Sequence, residues 1–306
     1  MNNTEDFITA WFASQSRLDE QRFPIGIGDD MAEVRIAGST VLITTDMLLD
    51  GVHFDLRKVG PAQAGYKAMA ASLSDCAAMA TRPLCAVVSV ALPKEFGAGQ
   101  LKELHHGIIC AGKPFGCELV GGDITRWKVR SGRFAVNVAM LSERVGNRAI
   151  RRNGAKAGDL ICVTGALGAA SAGRHLSFTP RVEEAIRLAA VVEIHSMIDI
   201  SDGLSTDLNR ICKASGVGAV IEASKIPIST EAMKSKNPLD SALNDGEDFE
   251  LLFTVSAETQ RVPETLDIGG VKITVIGNIR QGDEVGIKME DGQVRALEPE
   301  GYDHLG

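Results

Sequence analysis

Apolar and polar positions along the 306-residue chain alternate with two different periods, and the changes of period predict its elements. From about Thr4, Phe7, Ile8, Trp11 and Phe12 recur at helical spacing and predict an amphipathic helix. The loop Gly26-Ile27-Gly28-Asp29-Asp30 comes next. Two short strands are expected after it, the second over 41–44 and running directly into Thr45-Asp46. A helix is predicted to start near Pro61, a residue suited to a first turn, and to run through an alanine-rich body containing Asp75 to Ala80. Residues 84–92 read as a buried strand and 100–112 as a helix. Residues 118–120 read as a strand ending in Gly121-Gly122-Asp123, and 134–141 as another strand.

Past a basic, turn-rich stretch at 146–158, the pattern predicts a strand over 160–164 and a helix over 182–192. A strand over 197–200 then carries Asp199 into Ser201-Asp202-Gly203. A further helix follows, then strands over 219–221 and 249–255, the last preceded by Gly246-Glu247-Asp248. Strands alternating with helices imply α/β layers in both halves. The length favours two domains, with the junction near 145/146, so that one unit spans 1–145 and the other 146–306.

Composition narrows the function classes. A hydrophobic share of 44% and a charged share of 24% are those of a soluble globular protein, and no apolar run is long enough to cross a bilayer. The net charge of −8 argues against a nucleic-acid partner, which would need clustered Lys and Arg. The N-terminus carries Glu5 and Asp6 rather than a positive region and apolar stretch, so the cytoplasm is the expected compartment. The six cysteines form no Cys-x-x-Cys pair and read as reduced core residues.

Gly107 to Lys113 has Walker A spacing, but Pro114 stands where the metal-binding Ser or Thr belongs and the segment continues a helix, so the match reads as accidental. No Gly-x-Ser-x-Gly elbow is present. The aspartates at strand–loop boundaries carry more weight together than singly. Each alone has a local explanation as a turn, strand stop or helix cap. Several carboxylates converging on one cleft require counter-charge, and an all-oxygen set suits Mg²⁺, which shares its coordination with substrate phosphates. Arg126, Arg151 and Arg152 stand near these acids in sequence or at the junction.

In order along the chain, several segments closely resemble the thiamine-monophosphate kinase family. They are Gly26 to Asp30, Thr44-Thr45-Asp46-Met47, Gly51 to Phe54, Leu73 to Met79, Gly121 to Arg126, Gly158 to Gly165, Ile198 to Leu204, Gly246 to Phe253 and Gly301 to His304. The resemblance spans essentially the full chain. It implies the aminoimidazole-ribonucleotide-synthetase-like two-domain architecture: an α+β N-terminal domain with a mixed sheet that binds ATP and Mg²⁺ and forms homodimers, plus an α/β C-terminal domain completing the nucleotide and substrate site. The implied Mg²⁺ ligands are Asp30, Thr44, Thr45, Asp46, Asp75, Asp123, Asp199 and Asp202. Contacts to ATP, the co-substrate, fall on Gly122, Asp123, Arg152 and Ser201, and contacts to thiamine monophosphate on His53, Glu247 and Tyr302. Asp30, Asp46, Asp123 and Arg152 are implied to be catalytic.

The implied reaction passes the γ-phosphoryl of ATP in line to a phosphate oxygen of thiamine monophosphate. That nucleophile is ionised at neutral pH, so no base is needed, which agrees with the missing triad. Three departures from the family pattern stand out: Asp245 before Gly246, Ile124 after Asp123, and a shortened stretch over 168–180 that is expected to alter loop packing near the nucleotide. Two alternatives remain open, another ATP-using enzyme of the same superfamily and a non-catalytic nucleotide-binding homologue.

Overall fold

The computed structural model describes residues 4–168, 170–258 and 268–305. Its first sheet is built from β1 (Ala32–Ile36), β2 (Ser39–Leu49), β3 (Thr81–Leu92), β4 (Glu118–Arg126) and β5 (Ala135–Arg144), in the order β1-β2-β5-β3-β4. Every pairing is antiparallel except β3 with β4, which is parallel, so the sheet is mixed as expected. Helices α2 (Leu56–Ala78) and α3 (Ala98–Gly112) cover one face. Strict alternation along β5, with Val136, Val138, Met140 and Ser142 fully buried, marks that face as the core side.

The second sheet contains β6 (Leu160–Thr164), β7 (Ile194–Asp199), β8 (Gly218–Glu222), β9 (Leu251–Val255), β10 (Ile273–Arg280), β11 (Val285–Lys288) and β12 (Val294–Ala296), in the order β12-β11-β8-β10-β6-β9-β7. It too is mixed, through the parallel pairing of β11 with β8. α4 (Val182–Val191), α5 (Leu204–Ser215) and α6 (Pro238–Asn244) accompany it. One apolar cluster runs from Met31, Leu73 and Met140 through to Met197, Phe253 and Ile273, so the two sheets share a core across α2. A second cluster, with Leu204, Leu208 and Ile276, fills the other side of the second sheet.

Several elements depart from the sequence expectations. β2 does not stop at Thr44 but carries Thr45 and Asp46 mid-strand, because its ladder with β5 is unbroken from Leu42 to Leu49. β4 likewise continues through Gly121-Gly122-Asp123 to Arg126, held by β3. The helix predicted near Pro61 is preceded by one turn from Leu56, capped by Asp55, and interrupted at Gly60, whose φ of 77° requires glycine. The N-terminal helix α1 (Glu5–Gln15) forms as expected but buries none of its residues; Phe7, Trp11 and Phe12 are exposed. The strands β10 to β12 and α6 have no counterpart in the sequence reading, being short or glycine-interrupted.

The shortened stretch over 168–180 is anchored rather than loose where it is described; Ala169 lies outside the described residues. Glu250, fully buried, accepts from Arg181 at 2.6 and 2.8 Å, from Thr164 at 2.7 Å and from Arg174. Phe178 stacks on Phe249 at 4.0 Å between ring centroids. A buried carboxylate shared by two guanidinium groups has its charge fully met.

A carboxylate-lined cleft between the two sheets

Period-two alternation along β2 points Thr44 and Asp46 toward α2 and Thr45 outward. On α2, Lys67, Ala71 and Asp75 recur every fourth residue and so share one stripe, and all three line the cleft. The Thr44 hydroxyl donates to Asp75, Ser72 donates to Asp46 at 2.5 Å, and Ser74 donates to Asp199 at 2.6 Å. Asp199 arrives from the end of β7 and Asp30 from the loop before β1. Carboxylate oxygens of Asp30, Asp75 and Asp199 all lie within 4.8 Å of one another.

Such crowding has an electrostatic consequence. Burial, then the charges of Asp46, Asp199 and Asp30, push the Asp75 carboxyl well above its ordinary value; burial, then Asp30, does the same to Asp199; burial also raises Asp46. The cation near Asp30 is Arg152, at 2.7 Å, with Asp29 occupied by Arg151 and by the Arg152 backbone N–H. An oxygen-only donor set with more negative charge than its neighbours balance fits a divalent hard cation such as Mg²⁺.

The rest of the cleft is polar and tightly laced. Ser201 and Asp202 follow β7, and their N–H groups both donate to buried Asp207 at 3.1 Å, while Arg210 bridges Asp202 and Asp207. Glu247 donates its N–H to the Ser201 carbonyl at 2.7 Å. Glu247 and Phe249 hold left-handed φ values of 51° and 52°, a conformation costly for non-glycine residues. His53 Nδ1 accepts from the Leu49 N–H at 3.0 Å, which leaves its proton on Nε2. Tyr302 meets His304 edge-on at 4.7 Å, and His304 lies 5.4 Å from His53.

This cleft, about 810 Å³, is lined by Asp30, Thr44, Thr45, Asp46, His53, Asp75, Arg152, Asp199, Ser201, Asp202, Glu247 and Tyr302. Gly122 and Asp123 are not in its lining. Both lie on β4, an exposed edge strand, and Asp123 aligns with Ser89 and, through it, with Asn137 and Met47 on the outward face. Three strand spacings, about 14 Å, separate it from Asp46 within one chain. Arg126 caps backbone instead, donating to the carbonyls of Lys94 and Phe96. The sequence reading missed Lys67, Ser72, Ser74, His175, Asp207 and Arg210. The eight-residue spacing of Lys67 and Asp75 along α2, two four-residue steps through Ala71, was the available signal for Lys67.

Comparison with known proteins gives two family models, "AIR synthase related protein, N-terminal domain" over residues 28–143 and "AIR synthase related protein, C-terminal domain" over 149–290. A thiamine-monophosphate kinase of Rhodopirellula baltica is 36% identical, the alignment covering 92% of this chain and 91% of that one. One from Escherichia coli K12 is 35% identical over 95% and 94%. Among solved structures, AaThiL complexed with AMPPCP and TMP superposes with a TM-score of 0.82 at 30% identity, covering 98% of this chain and 97% of the other.

Proposed function

Because the chain belongs to the thiamine-monophosphate kinase family of AIR synthase related proteins, we propose that it transfers the γ-phosphoryl group of ATP to thiamine monophosphate, forming thiamine diphosphate and ADP. The observation that carries this reading is the convergence of Asp30, Asp75 and Asp199 at one end of a cleft whose other side presents His53 and Glu247. A carboxylate cluster holds phosphates through cations, and the neighbouring polar groups face a second ligand.

In this reading Asp30, Asp46, Asp75, Asp199 and Asp202, with the hydroxyl of Thr44, would hold Mg²⁺, while the Thr45 hydroxyl pairs with Asn137 on the outer face. When bound, Mg²⁺ neutralises phosphate charge and lowers the barrier to bringing two anions together. Arg152, oriented by Asp30, adds fixed positive charge on the phosphate side, and the Ser201 loop, braced by Asp207, lines the nucleotide. His53 offers its Nε2–H to the acceptor substrate. The bond from the γ-phosphorus to its bridging oxygen breaks as a phosphate oxygen of thiamine monophosphate bonds to that phosphorus in line, and ADP leaves with the electron pair. No side chain need remove a proton, because the attacking oxygen is already ionised. Positioning and charge compensation therefore supply the catalysis.

A homodimer is part of the proposal. The outward face of the first sheet exposes Ile43, Met47 and Val87, an apolar surface suited to a second copy. Gly122 and Asp123 stand on that same sheet at its free edge, outside the lining of the cleft. The six cysteines, four of them buried, suit a reducing compartment, and we place the enzyme in the cytoplasm. Among the described residues no helix is long and apolar enough to cross a membrane.

Incubation with Mg-ATP and thiamine monophosphate is expected to yield thiamine diphosphate and ADP in equal amounts, and chelation of the metal to abolish both. ATP binding without either product would sink the proposal in favour of a nucleotide-binding protein.

A further inference from the structure

Lys67 is among the largest fully buried side chains of the described residues, 1% exposed, in an alanine-rich helix. Burying an ammonium is costly unless every N–H is used. Here Nζ donates to the main-chain oxygen of His53 at 2.7 Å and to Glu247 Oε1 at 2.5 Å, and it lies 2.6 Å from His175 Nδ1. Two of its N–H groups meet oxygen acceptors, and the His175 ring, which itself serves Glu247, stands beside the third. These partners come from three separate segments: the loop after β2, the 3-10 turn Arg174–Leu176, and the loop between α6 and β9. The first belongs to the N-terminal half and the other two to the C-terminal half.

We propose that Lys67 is a positioning residue for thiamine monophosphate, fixing the His53 loop, His175 and Glu247 as one substrate-facing wall across the two domains. The inference rests on the function proposed above and assigns a role to a residue that the family resemblance leaves without one. His53 and Glu247 both line the main cleft and also a second hollow of about 910 Å³, bounded by Asp50, Asp55, Arg133 and His175. They therefore form the partition between the two spaces, held by Lys67 on the side of the main cleft and by His175 on the side of the second hollow. His175 Nδ1 also lies 2.9 Å from Glu247 Oε2, so both oxygens of Glu247 are engaged. The left-handed backbone at Glu247 persists because these contacts determine it.

Charge agrees with the geometry. Burial works to raise the Glu247 carboxyl, yet His175 and Lys67 hold it below the usual carboxylate range. Burial lowers the Lys67 ammonium, with Glu247 opposing. Burial, then the Lys67 charge, keeps His53 below its ordinary value, so it faces the substrate as a neutral donor.

The experiment compares KM for thiamine monophosphate and for ATP in the full-length enzyme, its Lys67→Met and Glu247→Gln variants, and the double variant. Lys67→Met is expected to raise KM for thiamine monophosphate roughly 30-fold and to leave KM for ATP within about twofold. Added to Glu247→Gln, it should change KM for thiamine monophosphate by less than about threefold, since its main client is gone. If Lys67→Met does not fold, His175→Gln releases one Glu247 oxygen and is expected to raise the same KM about fivefold, with ATP unaffected. Equal rises for both substrates, or full additivity in the double variant, would overturn the positioning role. Wild-type turnover is measured first: its absence overturns the proposed function and this inference together, whereas normal wild-type turnover with unselective losses overturns only the role of Lys67.

Discussion

At Asp75 the cost of assembling the cleft is concentrated on one side chain. Its carboxylate shares a space no more than 4.8 Å across with those of Asp30 and Asp199, and its main local compensation is the Thr44 hydroxyl. Asparagine at this position keeps an acceptor for Thr44 and turns two repulsions into N–H donation toward the neighbouring carboxylates. Asp75→Asn is therefore expected to raise Tm of the metal-free protein by about 3 °C. The same variant should lose most of the Mg²⁺-dependent rise in Tm and about 100-fold in turnover. Thermal melts with chelator and with Mg²⁺ check both halves, and an unchanged response to the metal would remove Asp75 from the cation site.

α2 is the element on which both halves depend. It packs on the first sheet, on α3 and on α4, and carries Lys67 and Asp75 into the cleft. Its crossing with α3 is so close that a Cβ at Gly107 would sit 1.9 Å from the Ala62 carbonyl oxygen, and one at Gly65 would sit 2.3 Å from that of Leu104. This explains the glycine that opens the Walker-like segment. It serves helix packing and lies in mid-helix, where no cradle of free N–H groups exists. Gly107→Ala should cost about 2 kcal/mol through overpacking and lower Tm by roughly 5 °C, with KM for ATP unchanged in the folded protein. A selective rise in KM for ATP would restore the phosphate-loop reading.

For the whole molecule, the decisive feature is the bare outer face of the first sheet. A sheet with one side packed on helices and apolar residues exposed on the other offers the surface for the homodimer proposed above. Val87 lies on that face, in register with Ala139 and Gly121, and Val87→Glu places charge there without touching the core. Sedimentation is expected to shift from dimer to monomer, with the circular-dichroism spectrum retained and turnover reduced at least tenfold. A monomeric variant with full activity would show that the cleft of one chain is complete.

Much of this protein was legible before any coordinates. Local residue order settles which segments bury one face and which carry acids at their ends, because hydrophobic periodicity and turn chemistry act over a few residues. That was enough for β6, α3 and α4, whereas the convergence of Asp30, Asp46, Asp75 and Asp199 was implied by the family resemblance rather than by local pattern. Tertiary structure alone decided the remainder. Whether β2 and β4 continue past their polar residues depends on ladders with β5 and β3 from distant parts of the chain. Whether an acid faces the cleft or the outer face depends on that register, which turns Asp46 inward and Asp123 outward. The role of Lys67 exists only where three separate segments meet one ammonium, a coincidence in space that no spacing along α2 encodes.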